Sequence, residues 1–87
     1  MQELKSIEGF KQLGYIVQLP TLTDKTYFMV KQGKKGTKRI YITVTKSTAK
    51  IYSYENNKAC DLDKKEKVLI DSLVFEDLNL KSYEYLK

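Results

Sequence analysis

Two consecutive runs in the middle of this chain, residues 38–45 and 48–54, alternate apolar and polar residues. A run rich in residues favoured in strands, residues 26–32, precedes them, and only short turn segments separate the three. Alternation with a period of two is typical of a β-strand that buries one face and exposes the other. Because connections as short as residues 33–36 and 46–47 favour antiparallel neighbours, the runs predict a meander. A β-branched and aromatic run that ends at Pro20 adds a strand before them. The four predicted strands are residues 15–19, 26–32, 38–45 and 48–54.

The segments on either side of the strands carry helical patterns. Apolar residues recur at every third position from Leu4 to Leu13 and predict a helix over residues 3–13. Asp63 and Glu66 have the spacing of a capping box, and the apolar residues after them lie on one helical face, which predicts a helix over residues 63–76. The tail, residues 77–87, fits a helix and a strand equally well.

Together these elements predict one small α+β domain over residues 1–87. Its core would be a four-stranded, mainly antiparallel sheet with the N-terminal and C-terminal helices packed on one face. Helices are required there because a bare meander would leave its apolar face in water. A chain of 87 residues is long enough for one such core and too short for a second domain.

The alternation also assigns the strand residues to the two faces of the sheet. One parity is almost entirely apolar, and we expect it to face the helices. The other parity combines four tyrosines with three cations, and we expect it to lie in solvent. The predicted core face consists of Phe28, Val30, Ile40, Ile42, Val44, Ala49 and Ile51. The predicted outer face consists of Tyr27, Met29, Lys31, Arg39, Tyr41, Thr43, Thr45, Lys50, Tyr52 and Tyr54.

Basic residues are concentrated in the strand region. Residues 25–54 carry eight of them and no Asp or Glu, in a chain with 16 basic and 11 acidic residues. Aromatic rings that stack on bases, together with cations that neutralise phosphates, are typical of sheets that bind single strands and RNA. Since 15 of the 16 basic residues are lysines, phosphate contacts are favoured over sequence-specific readout of bases. The predicted nucleic-acid-binding residues are Tyr27, Lys31, Lys34, Lys35, Lys38, Arg39, Tyr41, Lys50, Tyr52 and Tyr54.

Other interpretations of the same face stay open. Tyr and Thr are favoured in strands and Lys keeps a sheet soluble, so the pattern also fits an ordinary solvated surface. A protein-interaction or inhibitor module is the alternative function, because exposed Tyr and Met are common at protein interfaces. Such a module would use this face, a sheet edge or the apolar C-terminal tail. Self-association through unprotected sheet edges is a third possibility.

The composition argues against several chemistries. The chain contains no His and a single Cys, Cys60, so the commonest general base and the usual zinc ligands are missing. We therefore predict a non-enzymatic protein without a metal or cofactor. One cysteine cannot form an intrachain disulfide, and no apolar run is long enough to span a bilayer. We expect a cytoplasmic protein that does not associate with membranes.

The order helix, antiparallel strands, helix resembles the double-stranded RNA-binding domain, in which lysines at the start of the last helix grip phosphates. Lys64, Lys65 and Lys67 occupy the matching place. The family's Gly-Pro-x-His loop is missing, Glu66 interrupts the basic cluster, and a fourth strand is predicted. The order is also similar to the arm-binding domains of phage-type integrases, without a diagnostic motif. In size and composition the chain is similar to small proteins of phages and mobile elements, some of which inhibit host nucleases by binding them.

Overall fold

The computed structural model describes residues 4–86, which form a six-stranded sheet with helices packed on one of its faces. This architecture confirms the predicted α+β class. Residue 3 of the predicted first helix and residue 87 of the tail lie outside the described residues. In chain order the elements are α1 (Lys5–Gln12), β1 (Ile16–Gln18), β2 (Thr26–Gly33), β3 (Gly36–Val44), β4 (Thr48–Glu55), β5 (Lys58–Ala59), α2 (Lys64–Asp71), a π-helical segment (Ser72–Asp77) and β6 (Ser82–Leu86).

Strands β1 to β4 form the predicted antiparallel meander, in which each strand pairs with the next. The β2–β3 loop has two residues, Lys34 and Lys35, and Gly36 follows it with a φ of 132° that a residue with a Cβ rarely adopts. The β4–β5 loop is Asn56-Asn57, and both residues have positive φ, as a type I′ hairpin turn requires. Gly36 packs against the Asn56 side chain, so the two turns meet at one end of the sheet.

The C-terminal tail, which fits both a helix and a strand by its sequence, ends in strand β6. This strand pairs in parallel with residues 48–52 of β4. A parallel pair needs a long crossover connection, and α2 with the π-helical segment provides it. Tyr83 and Tyr85 pack against the core, and the Tyr83 hydroxyl donates a hydrogen bond to Asp71 Oδ1 at 2.5 Å. The tail is therefore part of the sheet.

The core lies between the helices and one face of the sheet. The predicted capping box begins α2: the Glu66 N–H donates to Asp63 Oδ1 at 2.8 Å, and the Asp63 N–H donates to Glu66 Oε1 at 3.1 Å. α1 approaches α2 closely at Gly9, where a Cβ would lie 2.5 Å from the Leu69 side chain. The fully buried apolar side chains of the core are Ile7, Phe10, Met29, Ile40, Ile42, Ala49, Ile51, Ile70, Leu73 and Val74.

The predicted assignment of residues to faces is wrong for β2. Phe28 and Val30, expected in the core, lie on the face that none of the helices within residues 4–86 covers. Tyr27 and Met29, expected in solvent, are only 7% and 0% exposed. In β3 and β4, four residues of the predicted core face, Ile40, Ile42, Ala49 and Ile51, are fully buried. Val44 of the predicted core face is half-buried, and Ser53, which has the same parity, is also buried.

The register of the β2–β3 hairpin explains this difference. Residues 27–30 are all apolar, so alternation does not fix which of them face the core. The two-residue loop pairs Gly33 with Gly36, and the same register places Met29 opposite Ile40. Because residues directly opposite each other lie on the same face, the burial of Ile40 requires that Met29 also faces the core. A slip of one residue would reverse every side chain of β2.

Candidate binding face

The side of the sheet that the helices leave uncovered carries nine side chains of β2, β3 and β4 in a regular grid, which we call the open face. The antiparallel register arranges them in three rows across the strands. The rows are Thr26–Thr43–Lys50, Phe28–Tyr41–Tyr52 and Val30–Arg39–Tyr54. All of them are half-buried except Lys50, which is exposed. Neighbouring side chains of the grid therefore shield one another partly from solvent, although the helices pack on the other face of the sheet.

Tyr41 is the centre of an aromatic cluster on the open face. Its ring centroid lies 4.9 Å from that of Phe28, with the planes 33° apart, and 6.0 Å from that of Tyr54, with the planes 78° apart. Tyr52 lies directly opposite Tyr41 on β4. Offset and edge-to-face contacts at these distances are favourable and restrict the rings. The cluster is thus a preformed apolar surface in the middle of the face.

A shallow depression of about 660 Å³ lies over the open face. Three tyrosines occupy its lining, and polar groups stand at its margins. The Arg39 Nη1 donates to Asn57 Oδ1 at 2.7 Å, which holds the guanidinium near the β4–β5 turn. The depression is lined by Asp24, Thr26, Arg39, Tyr41, Thr43, Tyr52, Tyr54 and Asn57. Its centre is therefore aromatic and its margins can donate and accept hydrogen bonds.

Few charges lie on the open face itself. Within residues 4–86, its cations are Arg39 and Lys50, and two acids accompany them. Asp24 lines the depression, and Glu84 of β6 lies beside Lys50 in the β4–β6 register. The exposed turns at the two ends of β3 add Lys34, Lys35 and Lys46. The positive charge is thus concentrated at the ends of the strands, with the aromatic cluster between them.

Three of the predicted site residues lie on the helix-covered side of the sheet. Tyr27 is buried in the core, and Lys31 and Lys38 lie opposite each other on β2 and β3. The Lys31 Nζ lies 4.8 Å from the centroid of the Tyr15 ring, a cation–π contact. The Lys38 Nζ lies 3.1 Å from Glu66 Oε2. The other seven residues lie where a ligand could reach them: Arg39, Tyr41, Lys50, Tyr52 and Tyr54 on the open face, and Lys34 and Lys35 in the turn.

Lys38 is one of three donors to a fully buried carboxylate. Glu66 Oε2 accepts hydrogen bonds from the Tyr15 hydroxyl and the Lys38 ammonium, and Oε1 accepts from the Asp63 N–H. Burial, with the Glu66 carboxylate beside it, raises the pKa of the Tyr15 hydroxyl far above its usual range. Partial burial alone would lower the pKa of Lys38, but the hydrogen bond and charge of Glu66 outweigh it and raise that pKa. These contacts satisfy a carboxylate that would otherwise be costly to bury.

Two parts of the open face differ from what the sequence predicts. Phe28 and Val30 were assigned to the core, although the two-residue turn already contained the signal for the correct parity. Asp24 and Asn57 lie in the connections before β2 and after β4. Strand alternation carries no information about such positions, because the path of the loop decides where they point.

No group of three or more Cys, Asp and Glu side chains in residues 4–86 is arranged to hold a metal ion. Cys60 is half-buried, and its Sγ lies 3.4 Å from Ser53 Oγ. None of the helices that the structure describes has both the length and the apolar character that a membrane crossing needs.

The fold and the open face define a small α+β domain with an uncovered aromatic sheet surface. No family model, no curated protein and no solved structure matches the chain.

Proposed function

We propose that this protein is a non-catalytic binding domain that contacts nucleic acid through the open face, without strong sequence specificity. The observation that carries the proposal is the aromatic cluster, which is left uncovered between turns that bear lysines. Stacking on aromatic rings and neutralisation of phosphates are the two interactions that sheets of this kind use to bind nucleic acid.

The aromatic part of the site consists of Tyr41, Tyr52 and Tyr54, with Phe28 against the Tyr41 ring. Every base presents a π-face, so stacking on these rings tolerates many sequences. Arg39, the one arginine of the chain, already donates to Asn57. Bidentate recognition of guanine is therefore a minor part of the proposed mode.

The charged part of the site contains fewer cations than the concentration of basic residues in 25–54 indicates. Lys31 and Lys38 are engaged with Tyr15 and Glu66, which leaves four of the six predicted cations. These four are Lys34, Lys35, Arg39 and Lys50. If each contacts one phosphate of a single strand, the logarithm of the affinity falls with the logarithm of the salt concentration at a slope of about −3.

Two pairs of adjacent, exposed lysines provide a matched test. Lys34 and Lys35 lie in the β2–β3 turn, whereas Lys64 and Lys65 lie at the start of α2. Affinity for a fluorescently labelled oligonucleotide would be measured by anisotropy from low to physiological salt. We expect Lys34→Ala/Lys35→Ala to weaken binding and to reduce the steepness of the salt dependence by about 1.4. The Lys64→Ala/Lys65→Ala variant loses the same charge and should bind like the wild type.

Three results would contradict the proposal. The first is the absence of any affinity at low salt. The second is a loss confined to Lys64→Ala/Lys65→Ala, which would favour the helix-based mode of the double-stranded RNA-binding domain. Equal losses in both variants would mean that net charge, and not the open face, governs binding.

A protein-interaction role is the second candidate, because aliphatic side chains lie exposed at the β1 margin of the sheet. Ile16 is 73% exposed, Leu19 51% and Leu22 100%. Leu19 also lines a depression of about 360 Å³ that continues past Phe28. Exposed aliphatic residues beside an aromatic cluster are typical of surfaces that bind proteins.

This candidate is tested by removing the apolar margin without touching the aromatic cluster. The test variant is Leu19→Ser/Leu22→Ser, and Val68→Ser, which alters a 60% exposed residue of α2, is the control. A protein partner that the wild type and the control retain, and that the test variant loses, would support the candidate. A partner retained equally by all three forms would argue against it.

A further inference from the structure

The width of the sheet limits which form of nucleic acid can reach the aromatic cluster. The row that contains Tyr41 continues into Gln18 of β1 on one side and Leu86 of β6 on the other, so five strands lie side by side. At a spacing of about 4.8 Å, five strands are about 19 Å wide before their side chains are counted. The major groove of duplex DNA is about 12 Å wide and admits a two-stranded ribbon, so the middle of this sheet cannot enter it.

The aromatic rings lie in the middle of the sheet, so the width of the sheet keeps them away from the bases of a duplex. Tyr41 is on β3, with two strands on each side of it at this row, and it makes its ring contacts with Phe28 and Tyr54 on the adjacent strands. In a duplex the faces of the bases are covered by their neighbours in the stack, and only the base edges are open in the grooves. A duplex laid across the open face would therefore present sugars and phosphates to the rings.

The cations at the two ends of β3 are compatible with a strand that lies along the sheet. The nine residues of β3 span about 30 Å at a rise of about 3.3 Å per residue. Lys34 and Lys35 lie just before this strand and Lys46 lies just after it. A flexible single strand can follow this length with phosphates near both turns, while its bases turn inward onto the cluster.

We propose that the open face selects single-stranded nucleic acid over duplex, an inference that rests on the proposed nucleic-acid binding. The tyrosine rings supply the discrimination, because their stacking partners are exposed only in a single strand. The turn lysines supply the part of the affinity that both forms share, because both carry phosphates. Duplex binding is thus expected to be weak and to depend on lysines alone.

The test uses one labelled oligonucleotide of mixed sequence, free or annealed to its complement, with the full chain in the same buffer. We expect the single strand to bind at least roughly tenfold tighter than the duplex. Tyr52→Ala should weaken single-strand binding by about 5- to 150-fold, the range for loss of one stacked base, and leave duplex binding unchanged. Lys34→Ala/Lys35→Ala should weaken both.

A second variant guards against a loss of folding. Tyr41 contacts two other rings, so Tyr41→Leu keeps a branched apolar side chain at the centre of the cluster while removing the ring. Its thermal melt by circular dichroism should remain cooperative, and its single-strand affinity should fall as in Tyr52→Ala. Equal affinity for the two forms, or an equal effect of the tyrosine substitutions on both, would overturn the selection for single strands and leave nucleic-acid binding intact. Failure of both forms to bind at low salt would overturn the proposed function itself.

Discussion

The ammonium of Lys38 lies 3.1 Å from Oε2 of Glu66, whose side chain is completely buried. This ion pair joins β3 to α2, and the Tyr15 hydroxyl reaches the same oxygen from the segment between α1 and β1. Three parts of the chain therefore meet at one carboxylate. Lys38, although it lies within the basic residues 25–54, is therefore directed to this carboxylate and does not belong to the open face.

The Lys38–Glu66 pair should show strong energetic coupling. Lys38→Met leaves a buried carboxylate without its cation, and Glu66→Gln removes the charge while keeping an acceptor for Asp63. We expect each single substitution to lower the free energy of unfolding, and the double-mutant cycle to give a coupling energy on the order of 1–3 kcal/mol. Urea denaturation followed by far-UV circular dichroism measures all four forms. Additive effects, within about 0.5 kcal/mol, would show that the pair contributes no specific stabilisation.

The protein should lose stability at alkaline pH. Burial and the hydrogen bond to Asp71 raise the pKa of Tyr83 from 10.0 to about 12, and the pKa values of Tyr15 and Lys38 are also raised. Because the unfolded chain releases these protons at lower pH than the folded protein, the stabilisation is complete below about pH 10 and is lost as the pH rises through the folded values. Urea denaturation between about pH 9 and about pH 12 should show this decline.

Tyr83→Phe is the control for the pH dependence. It removes the hydroxyl that donates to Asp71, so the decline between about pH 10 and about pH 12 should be shallower than in the wild type. A variant with the same slope as the wild type would exclude Tyr83 as a contributor.

A lysine introduced at either of two adjacent residues of β2 should change the free energy of unfolding by very different amounts. Met29 is fully buried, whereas Val30 lies on the open face. Met29→Lys places an unpaired cation in the core and should cost several kcal/mol or prevent folding. Val30→Lys should change the free energy of unfolding by less than about 1 kcal/mol, because the new ammonium can reach water. The reverse order of stability would show that β2 has the parity predicted from sequence alternation.

Gly36 should resist substitution. It has a φ of 132°, and a Cβ at this position would lie 3.0 Å from the Asn56 side chain. Gly36→Ala is therefore expected to destabilise the fold by about 1–3 kcal/mol through backbone strain and crowding of the neighbouring turn. Lys35→Ala, in the same turn but exposed, should be close to neutral and serves as the control in thermal melts. Equal melting temperatures for the two variants would show that Gly36→Ala introduces no significant backbone strain.

Removal of the C-terminal strand should damage the fold. A chain that stops after Lys81 loses β6, exposes the edge of β4 and removes two tyrosines that pack against the core. We expect a loss of cooperative thermal unfolding or a large fall in melting temperature. An unchanged thermal unfolding curve would show that the tail does not contribute to the stability of the fold. Only in that case would its deletion test partner binding without also disturbing the structure.

The local features of the fold were predictable from sequence because each depends on residues close together in the chain. Alternation marked β3 and β4, β-branched and aromatic composition marked β1 and β2, and the spacing of Asp63 and Glu66 marked the capping box. The parity of β2 was predictable in principle from the two-residue turn, but four consecutive apolar residues hid it. Tail residues 82–86 were ambiguous because their partner, β4, lies 34 residues earlier in the chain.

The sequence by itself determined the α+β class, the meander and the residues of β3 and β4 that face the core. The tertiary structure alone decided which of the basic and aromatic residues share a surface. It placed Phe28 and Val30 on the open face, and it directed Lys31 and Lys38 toward Tyr15 and Glu66. The physical reason is that alternation within one strand fixes only relative orientation, whereas strand register and distant partners decide which side of the sheet each residue occupies.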